Sequence, residues 1–191
     1  MIKFRTALVP ALLLAAAPAA VHAAPPVTEA TTEPMMSDGK QIGCTLSFVV
    51  TQDDTVNFGK NGRADVSGSL NFMMTDSKTP LYALKVGVGP ENARKYTAPV
   101  NALLIDGTTP TTGSLIKRID SDTSGYALFA FRVDDPVMSA TIAGPAQNRE
   151  LRFNYQLREG GKTVDAAVAF PGEKGREIVA SWLQCLKTVV G

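Results

Sequence analysis

The sequence ADVSGSLNFMMT, residues 64–75, alternates between apolar or small side chains and mostly polar ones. The first set comprises Ala64, Val66, Gly68, Leu70, Phe72 and Met74, and the polar set comprises Asp65, Ser67, Ser69, Asn71 and Thr75. A period of two places the sets on opposite faces, so the segment predicts a β-strand with one buried and one solvated face. Asn61-Gly62 precedes it and predicts a tight hairpin, because this dipeptide accepts positive φ angles.

Strand patterns also lie on both sides of this segment. Order is expected to begin at Ile42, after which buried-face candidates alternate with smaller or polar neighbours: Cys44, Leu46, Phe48 and Val50. Further strands are predicted at 81–88, 100–105 and 115–119, each bounded by Gly, Pro or Asp. Residues 126–133 are apolar on both faces and predict a central strand covered on both sides.

The C-terminal part predicts a hairpin followed by a helix. Alternating residues at 151–157 and 164–170 flank Gly160-Gly161, as in a hairpin with one solvated face. After Pro171-Gly172, apolar residues recur at helical spacing and predict an amphipathic helix: Ile178, Trp182, Cys185, Leu186 and Val189. Residues 137–143 predict a short helix, with a strand as the alternative. These elements predict a mainly β fold, an antiparallel sandwich or partly open barrel, with the C-terminal amphipathic helix packed on it.

The N-terminal 40 residues predict two segments outside the folded part. Residues 1–23 have the basic start, apolar run and small-residue cleavage site of a secretory signal peptide, cut near Ala23. The apolar run is too short to span a bilayer. Residues 24–40 are rich in Pro, Thr and Glu and predict a disordered arm. Residues 41–191 are then a single β-rich domain, and the expected location is periplasmic or secreted.

Removal of the leader would leave the exported chain without a histidine and with a different net charge. It takes away His22, the only histidine, and imidazole is the side chain whose unperturbed pKa suits proton transfer near neutral pH. Most familiar hydrolase and metal sites then lack a residue they need. The chain has 19 basic and 18 acidic side chains, and loss of Lys3 and Arg5 leaves one more acidic than basic. That balance argues against a nucleic-acid partner.

The two cysteines predict a disulfide between Cys44 and Cys185. Both lie on predicted core faces, and the leader would send the chain to an oxidising compartment. The alternative, a thiol-disulfide catalyst, lacks the C-x-x-C arrangement that sets redox poise.

Several short motifs suggest catalysis or metal binding, but each has a structural explanation. Ser114 and Lys117 match S-x-x-K, the nucleophile and base of serine β-lactamases, but in those enzymes the serine opens a helix and here it precedes a predicted strand. Asp53-Asp54 and Asp134-Asp135 are candidate carboxylate pairs, although turn and capping roles also explain them. Gly160 to Thr163 lacks the leading glycine of a P-loop.

Two further patterns suggest metals. Asp120, Asp122, Ser124 and Gly125 follow the opening of a calcium loop, but the twelfth position holds Phe131 instead of glutamate, so a polar turn is preferred. The methionine pairs at 35–36 and 73–74 could suit Cu(I), but without histidine partners they favour packing. We therefore expect no catalytic, metal or cofactor-binding residue, and no cofactor.

The segment 134–185 resembles the closing part of proteins similar to invasion-associated locus B, which are small exported envelope proteins of α-proteobacteria. The resemblance rests on the order of Asp134-Asp135-Pro136, a short apolar element, the two hairpin strands, Phe170-Pro171-Gly172, and a helix ending in Cys185. It implies a non-enzymatic, β-rich periplasmic protein and provides no catalytic motif.

The sequence therefore predicts an exported soluble protein that binds an envelope protein or a small ligand without catalysis. The alternative is a hydrolase acting on cell-wall or glycan material through carboxylates or a Ser-Lys pair. These hypotheses differ in geometry, because the second needs two reactive side chains that converge in a cleft.

Overall fold

The computed structural model describes residues 27–75, 79–106, 109–110, 115–131 and 150–191 as two antiparallel sheets and a C-terminal helix. The six-stranded sheet contains β1 (Val27–Ser37), β2 (Lys40–Asp53), β3 (Arg63–Met74), β4 (Pro80–Pro90), β7 (Leu115–Asp120) and β8 (Ala127–Phe131), in the order β1-β2-β3-β4-β8-β7. The four-stranded sheet contains β5 (Asn101–Asp106), β6 (Thr109–Pro110), β9 (Leu151–Gln156) and β10 (Val164–Val168), in the order β10-β9-β5-β6. The helices are α1 (Thr55–Phe58) and α2 (Gly172–Val190). The mainly β prediction is confirmed.

The alternation at 64–75 produces β3 as expected. Leu70 of β3 lies opposite Leu46 of β2 and Leu84 of β4, and all three are fully buried. This row belongs to the inner face of the six-stranded sheet, and the polar residues between them form its outer face. The burial of the apolar face therefore follows from the period of two.

The four-stranded sheet covers part of that inner face. The ring of Phe153 on β9 lies 5.9 Å from the ring of Phe48 on β2, measured between centroids. Alternate residues of β9 and β10 are buried, as the predicted hairpin with one solvated face requires. The apolar segment predicted as a central strand forms β8, which pairs with β4 on one side and β7 on the other.

Helix α2 packs on β1 and β2 through the predicted apolar stripe. Trp182 is fully buried, and the hydroxyl of Thr32 donates to the carbonyl of Ile178 over 3.3 Å. A disulfide joins Cys44 on β2 to Cys185 on α2, as predicted, with the two Cα atoms 6.0 Å apart. Within the described residues, no helix is both long and apolar enough to cross a membrane.

Two predictions near the N-terminus are wrong. Residues 27–37, predicted to be part of a disordered arm, form strand β1, which pairs along its length with β2. The reason is a two-residue turn at Asp38-Gly39, where both φ angles are positive, 48° and 74°. Such a turn has the twist that joins antiparallel strands. The composition of residues 27–37 is typical of a disordered segment, but the segment forms a strand because it pairs with β2.

The tight hairpin predicted at Asn61-Gly62 is also replaced by a longer connection. Asn61 does have a positive φ of 63°, but α1 lies between β2 and β3. Asp54 caps this short helix by accepting from the backbone N–H of Asn57. The predicted leader and the predicted short helix at 137–143 lie outside the described residues.

Candidate functional site

The candidate site is a polar groove on the outer face of the six-stranded sheet. Thr31, Ser47, Ser69 and Lys85 are register partners in turn on β1, β2, β3 and β4, so they form one row across four strands. Three gaps of about 4.8 Å give this row a length of about 14 Å. The alternation of each strand thus lines up hydroxyl groups from separate parts of the sequence.

A depression of about 690 Å³ lies over this row. Ser47, Ser67 and Ser69 contribute to its lining at the centre, and Gly68 lies between two of them. On an ordinary solvated sheet face, long or β-branched side chains cover the backbone. The small side chains here leave that space open, and we refer to it as the outer groove.

Tyr126 forms one wall of the outer groove and is held in place from three directions. Its hydroxyl donates to the Ser67 hydroxyl over 3.1 Å, and its ring centroid lies 5.4 Å from that of Tyr96. The ring packs against Gly87, where an added Cβ would lie only 3.0 Å from Cδ1 and Cε1 of Tyr126. Glycine on β4 therefore makes room for this ring on the outer face.

Lys85 is fixed beside the same wall. Its Nζ donates to the Thr123 hydroxyl over 2.7 Å, lies 3.6 Å from a carboxylate oxygen of Asp122, and is 5.4 Å from the Tyr126 ring centroid. Hydrogen bonding by Thr123 and the charge of Lys85 lower the pKa of Asp122, so the carboxylate stays ionised opposite the ammonium group. Burial, together with the nearby Tyr126 and Asp65, raises the pKa of Tyr96.

The opposite wall carries one charge of each sign. Glu29 on β1 and Lys174 on α2 both line the outer groove. Because β1 is an edge strand, the start of α2 reaches the groove from the other side of the sheet. The two walls together contribute Lys85, Lys174, Glu29 and the adjacent Asp122, whose formal charges cancel.

A short hydrogen-bond chain orients the centre of the row. The Thr45 hydroxyl donates to the side-chain oxygen of Asn71 over 3.0 Å, and Nδ2 of Asn71 donates to the Ser69 hydroxyl over 2.9 Å. Ser69 is 8% exposed. Its oxygen already accepts from Asn71, so the Ser69 hydroxyl hydrogen remains available to donate to a ligand.

The carboxylate candidates at 53–54 do not converge. Asp54 is buried and accepts from the hydroxyl of Tyr155 over 2.6 Å and from Nδ2 of Asn57 over 2.8 Å. Asp53 is exposed and lies 3.7 Å from Arg63. Burial and the neighbouring Asp54 raise the pKa of Tyr155. Asp54 therefore links the β2–β3 connection to β9, a structural role.

Other sequence candidates are separated or lie outside the described residues. Asp120 pairs with Arg118 at 2.9 Å, and Asp122 pairs with Lys85, so these two carboxylates of the calcium-like loop have protein partners. Phe131 is buried in β8. Among the described residues, no group of three or more His, Cys, Asp or Glu side chains could hold a metal ion.

The Ser-Lys pair is only partly described. Ser114 and Asp134-Asp135 lie outside the described residues, and the backbone of Lys117 lies in β7 opposite Ala130. Of the methionines, Met36 is exposed and Met74 packs against the core. Gly160 and Gly161 turn the chain between β9 and β10, so the sequence Gly160 to Thr163 belongs to a hairpin connection.

The alternation at 64–75 predicts that Ser67, Ser69 and Asn71 lie on a solvated face, but it does not indicate a site there. The available signal was the size of the outward residues, since three serines occur at positions 47, 67 and 69 where larger polar side chains usually lie. Comparison with protein-family models, with curated proteins and with solved structures found no match to the chain.

Proposed function

We propose that this chain is an exported, non-catalytic binding protein that holds a small polar ligand in the outer groove. The observation that carries the proposal is the row Thr31, Ser47, Ser69 and Lys85 beneath a depression of about 690 Å³. A depression of this size fits a small-molecule ligand, and a few oriented polar groups give such a site its specificity.

Export to the periplasm is part of the proposal. It is supported by the sequence of the leader, by the disulfide between Cys44 and Cys185, and by the resemblance of 134–185 to invasion-associated locus B-like proteins. An oxidising compartment would maintain such a disulfide. The hydrolase alternative gains no support from the described residues, because Asp53 and Asp54 point to different surroundings.

The test is to fill the outer groove with a side chain. Ser47→Tyr places a ring over the row on a face that faces solvent, so the fold should tolerate it. Ser37→Tyr is the matched control, because Ser37 is exposed at the end of β1 and does not line the groove. Both proteins would be purified from the periplasm and analysed by native mass spectrometry and by thermal shift against a library of polar metabolites.

We expect the wild type and Ser37→Tyr to carry or bind the same ligand, and Ser47→Tyr to lose it with an unchanged circular dichroism spectrum. Equal binding by all three proteins would place the ligand elsewhere and overturn the assignment of the groove. Conversion of the ligand to a product by the wild type would overturn the non-catalytic part.

A further inference from the structure

We propose that the ligand of the outer groove is a neutral saccharide, a short chain of uncharged sugar units lying across the strands. This inference rests on the proposed function and specifies its ligand class. It follows from three properties of the groove: the kind of hydrogen-bonding groups, the balance of charge, and the rigid aromatic wall.

The hydrogen-bonding groups are hydroxyls, which both donate and accept. Thr31, Ser47 and Ser69 present them along one row, and Ser67 lies in the next row. A ligand that carries many hydroxyls matches this arrangement, since each sugar hydroxyl also donates one bond and accepts others. A row about 14 Å long can contact more than one sugar unit, because its hydroxyl-bearing strands repeat at about 4.8 Å.

The charge balance disfavours an anion. An anion site needs basic groups whose charge is free for the ligand. Lys85 is already paired with Asp122 and hydrogen-bonded to Thr123, and the opposite wall offers Lys174 together with Glu29. An acidic sugar in this groove would meet the Glu29 carboxylate at one wall and, at the other, a lysine that is already paired with Asp122. A neutral sugar meets only donors and acceptors.

The aromatic wall is preorganised. Tyr126 is held by its hydrogen bond to Ser67 and by its contacts with Gly87 and Tyr96. Little side-chain freedom is lost when a ligand packs beside it, so more of the contact energy appears as affinity. An amphipathic ring of this kind suits a sugar, which has apolar C–H groups on one side and hydroxyls around its edge.

The experiment is isothermal titration calorimetry on the full exported protein. The probes are linear glucose oligomers and N-acetylglucosamine oligomers of two to four units, together with glucuronic acid oligomers of the same lengths. We expect a neutral series to bind and the acidic series to bind at least about tenfold more weakly. The affinity for the neutral series should change less than about twofold between low and physiological salt, because no net charge is neutralised.

Variants locate the binding. Ser47→Ala removes one hydroxyl and should lower the affinity for the neutral series by about fivefold, which is the equivalent of one hydrogen bond of about 1 kcal/mol. Ser47→Tyr should abolish binding, and Ser37→Ala should leave it unchanged. Binding of the neutral series that survives Ser47→Tyr would overturn the inference.

The two proposals fail in different ways. Preferential binding of the acidic series, lost in Ser47→Tyr, would overturn the neutral-saccharide inference and leave the groove as a binding site. Failure of both series to bind would overturn the inference outright. In that case a non-saccharide ligand that copurifies with wild type but not with Ser47→Tyr would still support the proposed function, and its absence would count against both.

Discussion

Removal of the disulfide should cost this protein a large part of its stability. The bond joins β2 to α2 across a sequence separation of 141 residues, so it closes most of the folded chain into one loop. In the chain-entropy model, a loop of this length restricts the unfolded chain enough to stabilise the fold by about 5 kcal/mol at 25 °C. Native domains have total stabilities of about 5–15 kcal/mol, so the effect reaches a third of the total or more.

Two perturbations distinguish the effect of loop closure on the unfolded chain from the effect of side-chain packing in the fold. The double variant Cys44→Ala/Cys185→Ala removes the bond and two sulfur atoms, and Cys44 is fully buried. Reduction of the wild type breaks the bond and keeps both side chains. We expect a loss of about 3–5 kcal/mol on reduction and a slightly larger one in the double variant, because a small cavity is added at Cys44.

Trp182 provides the assay. It is the only tryptophan, is fully buried and lies on α2 close to Cys185, so its fluorescence reports the release of this helix. Urea unfolding of the oxidised, reduced and double-alanine proteins gives both the stability and the denaturant slope m. The slope should rise without the bond, because the unfolded chain expands. A loss below about 1 kcal/mol with an unchanged slope would refute the reasoning.

Three further predictions concern the turn, the buried tyrosines and the groove. Gly39→Ala should destabilise the fold by about 1–2 kcal/mol in urea unfolding, because alanine is strained at a φ of 74° although its Cβ has open space; no measurable change would contradict this. Burial raises the pKa of Tyr82 to about 12 and also raises that of Tyr155 above its ordinary 10.0. The fold favours the protonated forms of both tyrosines, so their ionisation does not change the free energy of unfolding below about pH 10. That free energy should fall as pH rises from 10 towards 12, and it should fall less steeply in Tyr82→Phe. Reduction of the disulfide should also weaken ligand binding in calorimetry, because Lys174 lines the groove from α2; unchanged affinity in the reduced, folded protein would show that α2 does not shape the site.

Local patterns predicted most of the elements, because their information lies within a few residues. The period of two at 64–75 correctly predicted β3, and the helical spacing after Pro171-Gly172 correctly predicted α2. The predicted disulfide joins Cys44 to Cys185. Strand β1 was missed because its composition is polar and proline-containing, as in disordered segments. Its pairing depends on β2 and on the turn at Asp38-Gly39, and that dipeptide is the local signal that indicates a hairpin here.

The outer groove could not be predicted from any single segment, because it depends on how separate strands pair. The row from Thr31 to Lys85 requires the register of four strands, and a shift by one residue in any of them would turn its side chain towards the core. The wall formed by Tyr126 further requires that β8 pair with β4 far along the chain, beside Gly87. Serines 47 and 69 were visible in the sequence as outward residues, but their alignment was not.

The disulfide and the groove are coupled through the same elements. One wall combines Lys85 on β4 with Tyr126, which directly precedes β8, whereas the other combines Glu29 on the edge strand β1 with Lys174 on α2. The covalent tie at Cys185 and the hydrogen bond from Thr32 to Ile178 hold α2 against those strands. If oxidation strengthens ligand binding, then by thermodynamic linkage the ligand must favour the oxidised protein by the same factor. We therefore expect the bond both to stabilise the fold and to hold α2 beside β1, where Lys174 and Glu29 line the outer groove.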